Sequence, residues 1–164
     1  MVRVGLLSDT HNHLEKSIFP YFEQCDEIWH AGDIGTLKIA DQLSKLKPFR
    51  AVYGNIDGAE IRTAYPKVQR FKCEEVDVLM THIGGYPERY NAEVKTVFAS
   101  NPPQLFVCGH SHILKVMFDK KYNFLHINPG AAGLEGFHKI KTLVRFTIEK
   151  SILKDLEVIE LGFR

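Results

Sequence analysis

The side chains best suited to chemistry fall in five short clusters: Asp9-Thr10-His11, Gly32-Asp33, Gly54-Asn55, Thr81-His82 and Gly109-His110-Ser111-His112. Together they offer four imidazoles, two carboxylates and one amide oxygen, with no thiolate. Such a hard-to-borderline set suits Mn²⁺, Fe, Zn²⁺ or Ni²⁺. It disfavours a closed structural zinc site, which usually recruits cysteine. Seven ligands are too many for one tetrahedral ion and divide sensibly between two if one carboxylate bridges. Two ions roughly 3.5–4 Å apart hold a hydroxide between them and clamp a phosphoryl oxygen.

Each cluster closes a run that reads as a strand. Val2 to Leu7, Glu27 to Ala31, Phe49 to Tyr53, Val76 to Met80 and Leu105 to Cys108 are apolar or β-branched, and each ends in metal-capable side chains. In open α/β sheets the carboxyl ends of the strands line the ligand crevice, so five such loops can bring scattered ligands together. Glycine precedes the key residue at Asp33, Asn55 and His110, where a missing β-carbon lets backbone pack closely.

Between the first three strands, Leu14 to Gln24 reads as a helix flawed by Pro20, and Thr36 to Lys47 as the clearest helix, with Ile39, Ala40, Leu43 and Leu46 on one face. Strand, helix, strand, helix, strand predicts a parallel sheet. The later chain is more antiparallel: a hairpin of Val68 to Cys73 with Val76 to Met80, a helix from Asn91 to Ala99, and strands at Val116 to Phe118, Phe124 to Ile127, Leu143 to Ile148 and Leu156 to Leu161. No repeat or linker interrupts 1–164, which reads as one domain.

A formal net charge of +1 commits the chain to neither nucleic acid nor an acidic membrane surface. The apolar start is too short for a signal peptide and no run approaches a membrane span. Cys25, Cys73 and Cys108 cannot all pair within the chain, so a cytoplasmic location is expected.

In order and spacing, Asp9-Thr10-His11, Gly32-Asp33, Gly54-Asn55-Ile56-Asp57, Thr81-His82 and Gly109-His110-Ser111-His112 resemble the motif series of the calcineurin-like metallophosphoesterases. The short length and Ile127-Asn128-Pro129-Gly130 resemble its small YfcE-type phosphodiesterase branch. The resemblance implies an α/β fold of two mixed β-sheets packed as a sandwich and flanked by helices. It implies that Asp9, His11 and His112 bind one divalent ion and Asn55, His82 and His110 a second, with Asp33 bridging. Asp33, Asn55, His82 and His110 are then catalytic as well as ligating. The expected cofactor is a pair of ions, manganese first, with nickel, iron, zinc or magnesium as alternatives.

The expected reaction is hydrolysis of a small phosphate ester, a diester ahead of a monoester, by a hydroxide bridging the ions. Many relatives carry histidine after the Gly-Asn pair; Ile56 stands there in this chain, so that position supplies no general acid. The rivals are a nuclease, which the length and absent basic patch argue against, and a non-catalytic scaffold like the retromer subunit of this fold, which has lost several ligands. A homo-oligomer is compatible with the sequence.

Other polar residues receive plainer readings. His30 and His126 read as packing residues and His138 as a solvated loop histidine. His13 reads as an exposed loop residue, with substrate contact as the alternative. Asn128 is a turn residue or, as the resemblance implies, a support of the metal centre or a substrate-side group; Arg89, between Tyr86 and Tyr90, suits a phosphate oxygen or belongs to a solvated loop with two half-buried rings. Lys38, Lys45 and Lys47 read as the wet face of a helix, and Cys108 as a buried thiol.

Overall fold

The computed structural model describes residues 1–164. Its first sheet begins with β1 (Val2–Leu7), β2 (Glu27–His30) and β3 (Phe49–Ala51), all parallel. Their crossovers carry α1 (Phe19–Glu23), entered through a 3₁₀ turn at Lys16–Ile18, and α2 (Leu37–Leu46). The chain then passes through α3 (Ala59–Ala64) into a second sheet. That sheet contains β4 (Val68–Cys73), β5 (Val76–Thr81), β6 (Leu105–Val107), β7 (Leu114–Asp119) and β8 (Phe124–Pro129), with α4 (Ala92–Ser100) between β5 and β6. Finally β9 (Ile140–Glu149) and β10 (Ile152–Phe163) return antiparallel to the first sheet. The orders are β10-β9-β1-β2-β3 and β4-β5-β6-β8-β7, two mixed sheets.

Alternation along the strands decides what packs where. Val4, Leu6, Trp29, Val144 and Phe146 of the first sheet meet Val78, Met80, Val107 and Ile127 of the second in one buried layer. Trp29 fills its middle, edge-on to Phe71 and Phe146. Burying side chains of this size stabilises by about 1.5–3 kcal/mol each, so this layer is what joins the sheets. The outer face of the first sheet is covered by Ile18, Phe22, Ile39, Leu43 and Ile61, from the 3₁₀ turn and α1–α3. Val94 and Phe98 of α4 cover the second sheet over Leu79, Phe106 and Phe124. No helix is long and apolar enough to cross a membrane.

The helix Thr36 to Lys47 appears with those two residues as its caps. Pro20 is no kink: it sits in the first turn of α1, where its missing N–H would have had no helical partner. The six-residue helix α3 was not foreseen, because only Ile61 is buried in it and one residue makes no period.

Candidate metal centre

The five strand ends come from both sheets and meet at one edge. Asp9, His11 and His112 form one group and Asp33, His82 and His110 another, each with ligand atoms within 4.8 Å of one another. Asn55 joins the second group, its Oδ1 3.1 Å from His82 Nε2.

Each carboxylate divides its two oxygens between construction and chemistry. Asp9 Oδ2 accepts from the His110 backbone N–H at 3.1 Å, tying the first strand end to the fifth. Asp9 Oδ1 is buried without a hydrogen-bond donor and lies 3.1 Å from His112 Nε2 and 3.8 Å from His11 Nε2. Asp33 Oδ1 accepts from the Ile56 N–H at 3.0 Å. Its Oδ2 stands 3.1 Å from His82 Nε2 and 3.5 Å from His11 Nε2, reaching both groups.

The donor set fits cations. His82 Nδ1 lies 2.7 Å from the Ala31 carbonyl oxygen; a carbonyl only accepts, so Nδ1 holds the proton and donates. Nε2 then presents a lone pair to two further acceptors, Asp33 Oδ2 and Asn55 Oδ1, both at 3.1 Å. Three converging acceptors need a positive charge between them. The orphaned Asp9 Oδ1 and His11 Nε2 make the same demand in the first group.

Titration directions agree. Burial works against the Asp9 carboxylate, yet the adjacent His11, His112 and His82 imidazoles hold its pKa far below the usual range. Burial also works against charge on His82, but the neighbouring Asp33 and Asp9 carboxylates raise its pKa above the ordinary value. His11 is raised chiefly by the nearby Asp9 carboxylate.

Such convergence carries backbone strain. Asp9, His11, Asp33, His110 and His112 all have φ between 45° and 68°, the left-handed region that side chains other than glycine rarely occupy. Strain of order 1–3 kcal/mol per residue persists only where the surroundings over-determine it. Here they do. A Cβ on Gly54 would collide with Asp33 Oδ1, and one on Gly109 with Ser8 Oγ, so both loops lie against the carboxylate anchors as the sequence suggested.

Sequence reading missed three supports. His30 is fully buried and does more than pack. Its Nδ1 accepts from the Gly32 N–H at 3.1 Å, so Nε2 carries the proton and donates to Thr10 Oγ1 at 3.0 Å, which in turn donates to the Ile34 carbonyl. One ring thus fixes the first two ligand loops; burial pushes its pKa down to about 4, keeping it neutral. Asp57, buried among the loops, accepts from the N–H groups of Ile34, Gly35 and Gly54, joining the second loop to the third. Their signals were in the sequence: His30 sits three residues before Asp33, and Asp57 two after Asn55. The third support is His138, expected in solvent, which stands edge-on to His112 at 5.3 Å and hydrogen-bonds the Gly133 carbonyl.

The substrate-side candidates fare unevenly. Asn128 is committed: its Nδ2 donates to the Gly109 carbonyl and Ser111 Oγ, and its Oδ1 accepts from Gly130, so it holds the fifth ligand loop. Arg89 is exposed with no side-chain partner, and lines neither the cavity beside Asn55 and His82 nor the one beside Ser111. His13 is half-exposed, its Nε2 3.7 Å from Glu15 Oε1. The arginine near the centre is Arg62, unanticipated because it sits on α3. It lies over the Tyr53 ring at 4.6 Å, donates to the Asp57 and Asn55 carbonyls, and lines a cavity of about 540 Å³ with Asn55, His82, Lys67 and Asn91. Cys108 is buried, as expected.

Residues 2–151 match the family model described as the calcineurin-like phosphoesterase superfamily domain. A relative from Methanocaldococcus jannaschii, described as a probable metallophosphoesterase, is 24% identical over 163 residues, covering 96% of this chain and 81% of its own. Among solved structures, the phosphoesterase Yfce from E. coli superposes with a TM-score of 0.65 at 18% identity, over 99% of this chain and 100% of that one. Wild-type Vps29 from Entamoeba histolytica complexed with Zn²⁺ superposes at 0.72 with 14% identity, over 96% and 98% of the respective chains. At such identities the superpositions speak for the fold.

Proposed function

Because this chain belongs to the calcineurin-like phosphoesterase superfamily, we propose that it is a two-metal phosphodiesterase acting on small phosphate esters, with manganese as its working ion. Asp9, His11 and His112 would hold one ion and Asn55, His82 and His110 the other, with Asp33 placed to contribute to both. The observation that carries this reading is Asp33 Oδ2, within 3.1 Å of His82 Nε2 and 3.5 Å of His11 Nε2, a single oxygen shared by two ligand groups. When bound, two such ions supply an acidified water and charge neutralisation at phosphorus.

The chain's own residues do the rest. His30 and Asp57 hold the ligand loops in their strained conformations, so little reorganisation accompanies the reaction. The cavity beside Asn55 and His82 receives an organic arm of the diester, with Arg62 held at its wall for a phosphoryl oxygen. Ile56 is 46% exposed and its side chain has no proton to give, so departure of the leaving group depends on its own stability as an anion.

The Vps29 likeness supports a second reading, a protein-binding scaffold. Against it stand seven intact donors and five residues in left-handed backbone, which a scaffold does not require. Metal analysis followed by a screen of mono- and diesters decides between them. Bis(p-nitrophenyl) phosphate should turn over with Mn²⁺ and cease with chelator, and diesters of increasing leaving-group pKa should slow steeply. Ile56→His should help alkyl esters more than aryl ones, towards the ~10²–10⁴-fold a positioned acid provides. Absence of turnover with every divalent ion would favour the scaffold.

A further inference from the structure

A smaller cavity, of about 130 Å³, lies among Tyr86, Ser111, Ile113, Lys115, His126 and Asn128. It exceeds a single water's share of about 30 Å³ several-fold and falls well below the roughly 300 Å³ at which pockets for whole organic ligands begin. That is room for a compact group such as phosphate or carboxylate.

Its polar atoms ask for an acceptor. Ser111 Oγ already accepts from Asn128 Nδ2 at 3.1 Å and from the Ile113 N–H at 3.3 Å, leaving its hydroxyl hydrogen to donate. Lys115 holds its ammonium 5.6 Å from the Tyr86 ring centroid and, unlike Lys67, Lys141 and Lys154, pairs with no carboxylate. His126 is fully buried; its Nε2 rests 4.0 Å from Cys108 Sγ, and its Nδ1 has no hydrogen-bond partner. Burial, then the nearby Lys115 charge, push His126 down to about 4, so it enters as a neutral ring, whose Nδ1 carries a hydrogen in the tautomer that leaves Nε2 as the acceptor beside Cys108 Sγ. A cation without a carboxylate partner, a free hydroxyl and an orphaned imidazole around a space of this size match an oxyanion.

We propose that this cavity is a subsite for a second oxyanion, a phosphate or carboxylate carried by the substrate within a few bonds of the scissile phosphoryl group, held by Lys115, Ser111 and His126. The proposal rests on the phosphoesterase reading, because Ser111 lies between two candidate ligands, His110 and His112, which makes the subsite a neighbour of the centre. It narrows the substrate class to esters bearing two anionic groups.

Two measurements test it separately from that reading. In chelator-treated protein, titration with inorganic phosphate should shift the NMR signals of Ser111, Lys115 and the His126 ring saturably. The shifts should vanish in Lys115→Met and return in Lys115→Arg; no shift, or the same shift in Lys115→Met, overturns the subsite. With Mn²⁺ present, kcat/KM is compared between an aryl diester and the same diester carrying a pendant phosphate. A charge-assisted contact predicts a preference of about tenfold or more for the second, collapsing towards unity in Lys115→Met. Equal rates on the two esters overturn a substrate-borne anion while leaving the phosphoesterase reading standing. Turnover of neither ester overturns that reading, and with it the substrate-borne role; the phosphate titration then decides only whether the cavity takes a free anion.

Discussion

The two ligand groups are built alike and finished differently. The Asp9, His11 and His112 group is lined by His138 and by the backbone at Gly136, where a Cβ would collide with the His112 ring. The Asp33, His82 and His110 group borders the 540 Å³ cavity, with Asn55 and His110 exposed. On the proposed two-metal reading, one half retains an ion and the other retains an ion and admits a ligand. A cation buried among carboxylates is held by short-range charge, whereas a reacting ester needs an open coordination position and space for its arms.

The largest effect should come from removing what the halves share. Asp33→Asn is expected to lower Mn²⁺ stoichiometry at both groups and activity by more than ~100-fold, beyond the usual cost of losing an outer support. His82→Ala should empty the open half alone. Calorimetric titration of both variants reads this directly, and equal residual stoichiometry would remove Asp33 from its shared role.

Gly54→Ala and Gly136→Ala set the halves against each other. The first drives a methyl into Asp33 and the second, at φ 117°, into the His112 ring. Gly54→Ala should weaken both Mn²⁺ sites, because Asp33 is shared, and Gly136→Ala only the His112 site, each ~10–100-fold, with an overpacking cost of about 1–3 kcal/mol. If Gly136→Ala weakens both sites equally, the division is wrong.

A third test asks whether His30 supports the centre as a neutral ring. Its folded pKa, about 4, lies below the unfolded value near 6.5, so the stability it confers is complete above pH 6.5 and is lost as pH falls towards 4. The loss approaches about 3 kcal/mol at the lower end. His11 and His82 have raised values and act in the opposite sense, stabilising at low pH and less as pH rises. The comparison is therefore made between metal-free wild type and His30→Gln by urea unfolding, at pH 7 and pH 4.5. The wild type's advantage should shrink at the lower pH; a constant gap would mean that His30 does not titrate in this window.

The smallest expected effect belongs to Arg89. Exposed and unpaired, Arg89→Ala should alter stability by less than about 0.5 kcal/mol and leave kcat/KM nearly unchanged. Arg62→Ala, at the wall of the open half, should lower it. A tenfold loss in Arg89→Ala would return that residue to the substrate path.

Much of this was legible beforehand, for identifiable reasons. The strand ends were readable because β-branched runs stop at Gly-Asp, Gly-Asn and Gly-His pairs, whereas the division into two sheets came from the family resemblance. Helix α2 announced itself through Ile39, Ala40 and Leu43, whereas α3 has too little buried surface to leave a period. His30 and Asp57 were passed over because a lone histidine in a strand and an aspartate in a turn have ordinary explanations; their hydrogen bonds cross 20 to 23 residues of chain.

By itself, then, the sequence picked out which residues are able to ligate a metal, since ligand type and the residue order at strand ends are local properties. The family resemblance implied how they divide; only the tertiary structure decided how closely they approach and what surrounds them. Whether Asp33 Oδ2 faces one imidazole or two, whether an arginine at the wall is Arg62 or Arg89, and whether Asn128 is free or committed all depend on how the loops of two sheets approach one another. That approach is set by the buried layer around Trp29 and by backbone contacts at Gly54 and Gly109, interactions between distant segments that no local spacing encodes.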